Sequence, residues 1–209
     1  MIQPQQLEEL DIAAITLLYG DDGKVSPVQK QRDILKVVTA MTDEHYNYLL
    51  LAVELQSELH YAMPSRNMLY DAVQYADQVY QVSKVHRQYQ DQPADTGEFL
   101  SDFYKTDKLL PVITLTVYLD AKEWDAPRSL YETLLVEDER LCPFIPDYKL
   151  NLVTPAEMAD ADFPKLHTEL SPVLKYLKYS RSKKKLAEVV YEDPAYRSMS
   201  SYASSTWVT

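Results

Sequence analysis

The sequence predicts an α/β protein of the α+β kind, a mixed sheet flanked by helices. Three observations lead there. Three apolar or β-branched runs, IAAITLLY (12–19), ILKVVT (34–39) and YNYLLLAVELQ (46–56), are separated by short links, which suggests an antiparallel meander. A single long amphipathic stretch follows Pro64. Finally, LLPVITLTVYLD, Leu109 to Asp120, is apolar on both parities and reads as a central strand beside the meander.

Each element has a local cause. GDDGK, Gly20 to Lys24, holds the residues that tolerate left-handed backbone, so it is a turn. MTDEH, Met41 to His45, is a short connection. Pro64 suits the first turn of a helix. Beyond it Met68, Leu69, Ala72, Val73, Ala76, Val79 and Tyr80 recur at helical spacing, so the helix is expected to reach about Tyr89. QDQPADTG, Gln90 to Gly97, is rich in breakers and forms a loop. A short helix over EFLSDFYKTD comes next, then the Leu109 strand and a loop at AKEWDAPRS. A helix near Ser129 to Val136 and a strand near Tyr148 to Val153 are expected. From Pro155 the chain reads as helical, with a break at Ser171-Pro172. We assign one domain over 1–195, with a core at 11–120 and a C-terminal extension at 121–195. A polar, weakly ordered tail occupies 196–209.

Composition narrows the function. Hydrophobic residues make up 46% of the 209, enough for a core without staples. The lone cysteine, Cys142, cannot form an internal disulfide and suits a reducing compartment. No apolar run is long enough to span a membrane, and the N-terminus lacks the layout of a signal peptide, so a cytoplasmic protein is expected. Only three glycines are present, which excludes a phosphate loop, a dinucleotide fingerprint and a Gly-flanked serine elbow. The net charge of −11 argues against broad coating of nucleic acid. It leaves room for a nuclease, whose clustered carboxylates hold a cation that reverses the local sign. The basic run KYLKYSRSKKK, Lys175 to Lys185, reads as a solvated helix face.

The stretch YNYLLLAVELQSELHYAMPSR raises a chemical question, because Glu54 and Gln56 share one face of a strand whose earlier residues are interior. A buried carboxylate needs a compensating partner. Salt bridging by Arg32 or Arg66 is one answer. A metal is the other: Asp33 supplies a second carboxylate from the neighbouring strand, and the backbone carbonyl of Leu55 a third oxygen, a hard set suited to Mg²⁺. Gln56 then orients a water or meets a phosphate. Glu58 and His60 follow as loop residues, with His60 expected in solvent. Arg66 and Gln74 on the long helix, and Lys36, are candidates for phosphate contact. His86 and Cys142 read as structural.

The segment QRDILKVVTAMTDEHYNYLLLAVELQSELHYAMPSRNMLYDAVQYADQV resembles the core of the recombination-promoting nuclease family, also labelled YhgA-like transposases, within the PD-(D/E)XK nuclease superfamily. FLSDFYKTDKLLPVITLTVYLDAKEWDAP and PFIPDYKLNLVTPAEM resemble the same family in the same order, so the likeness spans roughly Asp11 to Asp193. The resemblance implies a PD-(D/E)XK nuclease fold and cation-dependent DNA cleavage linked to recombination between DNA segments. Asp33 stands at the first acid of the motif, Glu54 at the second, and Gln56 in the slot usually held by lysine. Asp33, Glu54 and the Leu55 carbonyl are then the ligands of Mg²⁺ or Mn²⁺. Arg32, Lys36, Arg66 and Gln74 become candidate DNA contacts. DNA is the expected partner, with self-association left open. Relatives usually carry a helix before the first strand, and this sequence opens on the region after it. The core is therefore expected to lack that helix, and a decayed nuclease fold serving as a binding module is the alternative.

Overall fold

A computed structural model describes residues 7–9, 13–19, 25–31, 33–42, 45–166, 170–192 and 196. Five strands form a sheet in the order β1 (Leu7–Glu9), β4 (Ile34–Thr42), β5 (His45–Gln56), β6 (Val112–Tyr118), β7 (Asn151–Val153). Strand β2 (Ala13–Tyr19) pairs only with β3 (Val25–Gln31), in a separate two-stranded ribbon. The β1–β4 and β4–β5 pairs are antiparallel. β5 and β6 run parallel: the Leu50 N–H donates to the Pro111 carbonyl (2.9 Å) and, further along both strands, the Leu119 N–H donates to the Gln56 carbonyl (2.7 Å). The sheet is therefore mixed, as the sequence predicts for the class.

Contacts group the chain into two units. The first comprises Met1–Glu54, Ala62–Leu115 and Pro127–Asn151; the second comprises Leu55–Tyr61, Thr116–Ala126 and Leu152–Thr209.

In the first unit the helix α1 (Met63–Tyr89) begins with Pro64 in its first turn, where the missing N–H costs nothing. It ends at Gln90, whose left-handed backbone (φ 54°) turns its N–H back to the Arg87 carbonyl. The apolar core is Leu35, Leu50 and Ala52, with Leu110 and Val112 against it. Leu35 pairs with Ala52 across β4 and β5, so all three share one face of the sheet. The buried face of α1 is half polar: Asn67, Asp71, Gln74 and Ser83 lie among Met63, Pro64, Tyr70 and Val73. A short helix α2 (Thr96–Ser101) follows, its first turn capped by the Asp95 carboxylate, which accepts from the Glu98 N–H at 3.0 Å.

In the second unit Tyr118 meets Trp124 edge to face at 5.2 Å, and Phe163 and Leu174 are fully buried. Helices α3 (Leu170–Tyr179) and α4 (Lys183–Glu192) pack on one another.

Three expectations are corrected. The run at 12–19 does not join a three-strand meander. It pairs instead with 25–31, and the turn expected at 20–24 lies outside the described residues. Pro27 lacks an N–H for a ladder and is tolerated in a two-stranded ribbon, where each strand is an edge. The helix near Ser129 to Val136 shrinks to one 3₁₀ turn, Tyr131–Thr133. Leu134 is extended and Leu135 is 91% exposed, so no apolar stripe forms there. Pro172 does not break a helix; it occupies the first turn of α3, and the chain turns instead at Ser180–Ser182. The polar tail at 197–209 lies outside the described residues. No helix precedes α1 among the described residues. Among the described residues no helix is long and apolar enough to cross a membrane.

Candidate functional site

Strand β5 alternates as its sequence demands. Leu50, Ala52 and Glu54 are buried at 4%, 0% and 0% exposure, while Leu55, of the opposite parity, is 44% exposed. Glu54 therefore continues the core face rather than escaping it. Ile34 pairs with Val53 as the last pair of the ladder, so Asp33 precedes that strand end, next to which Glu54 follows Val53. Asp33 occupies a bend just before β4 and is exposed, whereas Glu54 is enclosed.

Arg66, in the first turns of α1, reaches Glu54. Its Nη2 donates to Glu54 Oε2 at 3.5 Å, with side-chain exposures of 34% and 1%. Bidentate arginine–carboxylate pairs close to about 2.7–2.9 Å. The other end of the guanidinium is anchored more firmly: Nε donates to the Tyr70 hydroxyl at 3.0 Å, and the group lies 5.3 Å over the Tyr70 ring. Tyr70 is one helical turn from Arg66, so the two side chains share a face of α1. The salt-bridge answer read from the sequence is thus the observed partner of Glu54.

The remaining candidates scatter. Gln56 is half-buried at the end of β5, two residues beyond Glu54, and its carbonyl accepts from the Leu119 N–H. The unit boundary falls between Glu54 and Leu55. Lys36 pairs with Leu51 and so points to the opposite face from Glu54. Gln74 is 6% exposed on the inner side of α1, about 12 Å along the helix from Arg66 by the helical rise. Neither meets Glu54 in the way a shared phosphate site needs. Arg32 lies outside the described residues. Glu58 and His60 do fall in the loop after β5, but His60 is half-buried rather than in solvent. In the basic run, Lys178 and Arg181 are paired with Asp160 (2.6 Å) and Asp120 (3.2 Å). Lys178 and Tyr179 hold the Asp160 carboxyl below its usual range.

Two features escaped sequence reading. Tyr70 steadies Arg66, and the i, i+4 spacing was the available signal. A second acid, Asp71, accepts from the hydroxyls of Thr114 (2.5 Å) and Tyr148 (2.6 Å). An acid on an apolar helical face was its only trace. Among the described residues no group of three or more His, Cys, Asp or Glu side chains is arranged to hold a metal. Comparison with protein-family models, with curated proteins and with solved structures found no match.

Proposed function

We propose that this chain is a divalent-cation-dependent DNA endonuclease of the recombination-promoting nuclease kind. The observation that carries the reading is Glu54, an acid wholly buried at the end of the β5 core face, with Asp33 in the bend just before β4, whose first residue Ile34 pairs with Val53. Glu54 has the Arg66 guanidinium beside it, and a divalent cation is the other positive group that this acid and Asp33 would suit. Two carboxylate groups are a hard oxygen set that fits Mg²⁺ or Mn²⁺, which keep several waters of their own. A bound ion would supply a Lewis acid for the phosphodiester and acidify a water.

The chain's own residues divide the work. Asp33 and Glu54 hold the cation, with the Leu55 carbonyl as the further oxygen that the resemblance implies. Gln56, next on the same parity of β5, accepts from or donates to the attacking water. Arg66, a third exposed, meets a phosphate oxygen. One water is consumed: its oxygen joins phosphorus, one P–O ester bond breaks, and the departing oxygen takes a proton.

The test is nicking of supercoiled plasmid with Mg²⁺ or Mn²⁺. Glu54→Ala and Asp33→Ala should each lower the rate by at least about a hundredfold, since even outer partners of metal ligands cost that much when removed. Equal rates in parent and variants, with unchanged urea unfolding curves, would sink the assignment. The Arg66–Glu54 ion pair favours a second reading, a binding module on a nuclease-like fold with its cation position closed. That reading predicts no Glu54-dependent thermal shift with Mn²⁺.

A further inference from the structure

We propose that the Arg66 guanidinium and a divalent cation are alternative occupants of the Glu54 carboxylate, and that arrival of the cation releases Arg66 toward the substrate phosphate. The inference rests on the cation-dependent reading above and adds to it how the site is kept without its ion.

The geometry is that of a pivot. Nε is fixed to the Tyr70 hydroxyl at 3.0 Å and the guanidinium lies over that ring, while Tyr70 is itself buried. The far nitrogen, Nη2, touches Glu54 at 3.5 Å, near the outer limit of a hydrogen bond. The firm end of Arg66 is therefore on its own helix, and the loose end is on the acid. The guanidinium is also a third open to solvent, so its loose end has somewhere to go. Positive charge beside a buried acid offsets part of the cost of enclosing it. Arg66 performs that task in the absence of metal. A dication on the same carboxylate repels the guanidinium, because both are positive and only a few ångströms apart. Rotation of the rigid fork about the Nε–H···Oη axis carries Nη2 outward and keeps the Tyr70 bond. A planar fork suits the oxygens of a phosphate, the partner proposed for the freed end.

The experiment is calorimetric titration with Mn²⁺ alone on the full chain. Arg66→Gln removes the charge and keeps a comparable length; it should bind Mn²⁺ about tenfold more tightly than the parent, a typical coupling between competing occupants. Arg66→Lys keeps the charge and should stay within about twofold of the parent. Glu54→Gln should abolish binding in either background. The parent itself gives a second readout that needs no variant to fold: the Arg66 Nη2–H resonances, followed during Mg²⁺ titration, should shift and saturate with the binding curve. Tighter binding by Arg66→Gln, including the case where the parent binds nothing and the variant binds, supports the exchange. Equal or weaker binding by Arg66→Gln, or unmoved Nη2–H signals at saturating Mg²⁺, overturns it and leaves the cation-dependent reading standing. Absence of Glu54-dependent Mn²⁺ binding in both proteins overturns that reading and this inference together.

Discussion

Asp71 carries a hydroxyl donor on each carboxylate oxygen, Thr114 on one and Tyr148 on the other. It is 8% exposed, and Thr114 is 1% exposed, so this acid is held by neutral donors inside the first unit. Hydrogen bonds to a charged group are worth about 1.5–3 kcal/mol, and an acceptor stripped of one pays for its desolvation. Thr114→Val keeps the shape and removes the donor. It should lower the unfolding free energy by about 2 kcal/mol in urea titrations, with an unchanged slope. Glu54 was legible beforehand because strand parity follows from residue spacing alone. Asp71 was not, since its partners lie on β6 and in the 148 region, and no local rule brings those three together. Lys36 shows the reverse failure: its charge suggested a phosphate contact, while the register turns it to the other face.

At the C-terminal end of α1, His86 closes a clasp. Its Nδ1 meets Asp91 at 2.8 Å, its Nε2 meets Asp107 at 2.9 Å, and its ring stacks on Tyr104 at 3.8 Å. The Tyr104 N–H also donates to Asp107, and Arg87 on the next position of α1 pairs with Asp102. Both ring nitrogens can donate only when the imidazole is protonated. The hydrogen bonds to Asp91 and then Asp107 raise the His86 pKa above its ordinary 6.5. Burial alone would raise the Asp107 carboxyl, but the Tyr104 N–H and His86 outweigh it and hold it below the usual value. The signs follow from linkage. The His86 contribution is fully present below pH 6.5 and is lost as pH rises through the higher folded value. The Asp107 contribution is present above its unfolded pKa and fades under acid. Urea midpoints of the parent should therefore exceed those of His86→Gln most near pH 5–6, and the gap should narrow by about pH 9. A gap that is flat with pH would show that the clasp works by packing alone. At this scale α1 and β6 were readable, because one has a clear period with proline at its start and the other is a long apolar run. The ribbon of β2 and β3 was not, since VSPVQKQ lacks the apolar alternation of a strand and pairs through its backbone.

The whole chain carries −11, a sign that repels the substrate proposed for it. Attraction to DNA must then come from the cation and a few basic groups. Gel-shift binding should need Ca²⁺, vanish with chelator, and weaken only gradually with added salt, because few phosphates are neutralised. Strong binding in chelator would point to a basic surface instead. The fold class was readable at this scale from the tally of strands and helices, whereas the order of strands in the sheet depended on pairings that span most of the chain. One such pairing has a consequence for how the molecule is made. Leu50 reaches Pro111 across all of α1 and α2. Joining them closes a long loop, whose entropic toll is met only after both helices exist. A ribosome delivers β5 well before its mate. Until Pro111 emerges, the nascent sheet shows one raw margin, and a neighbouring nascent copy is the strand best able to zip onto it.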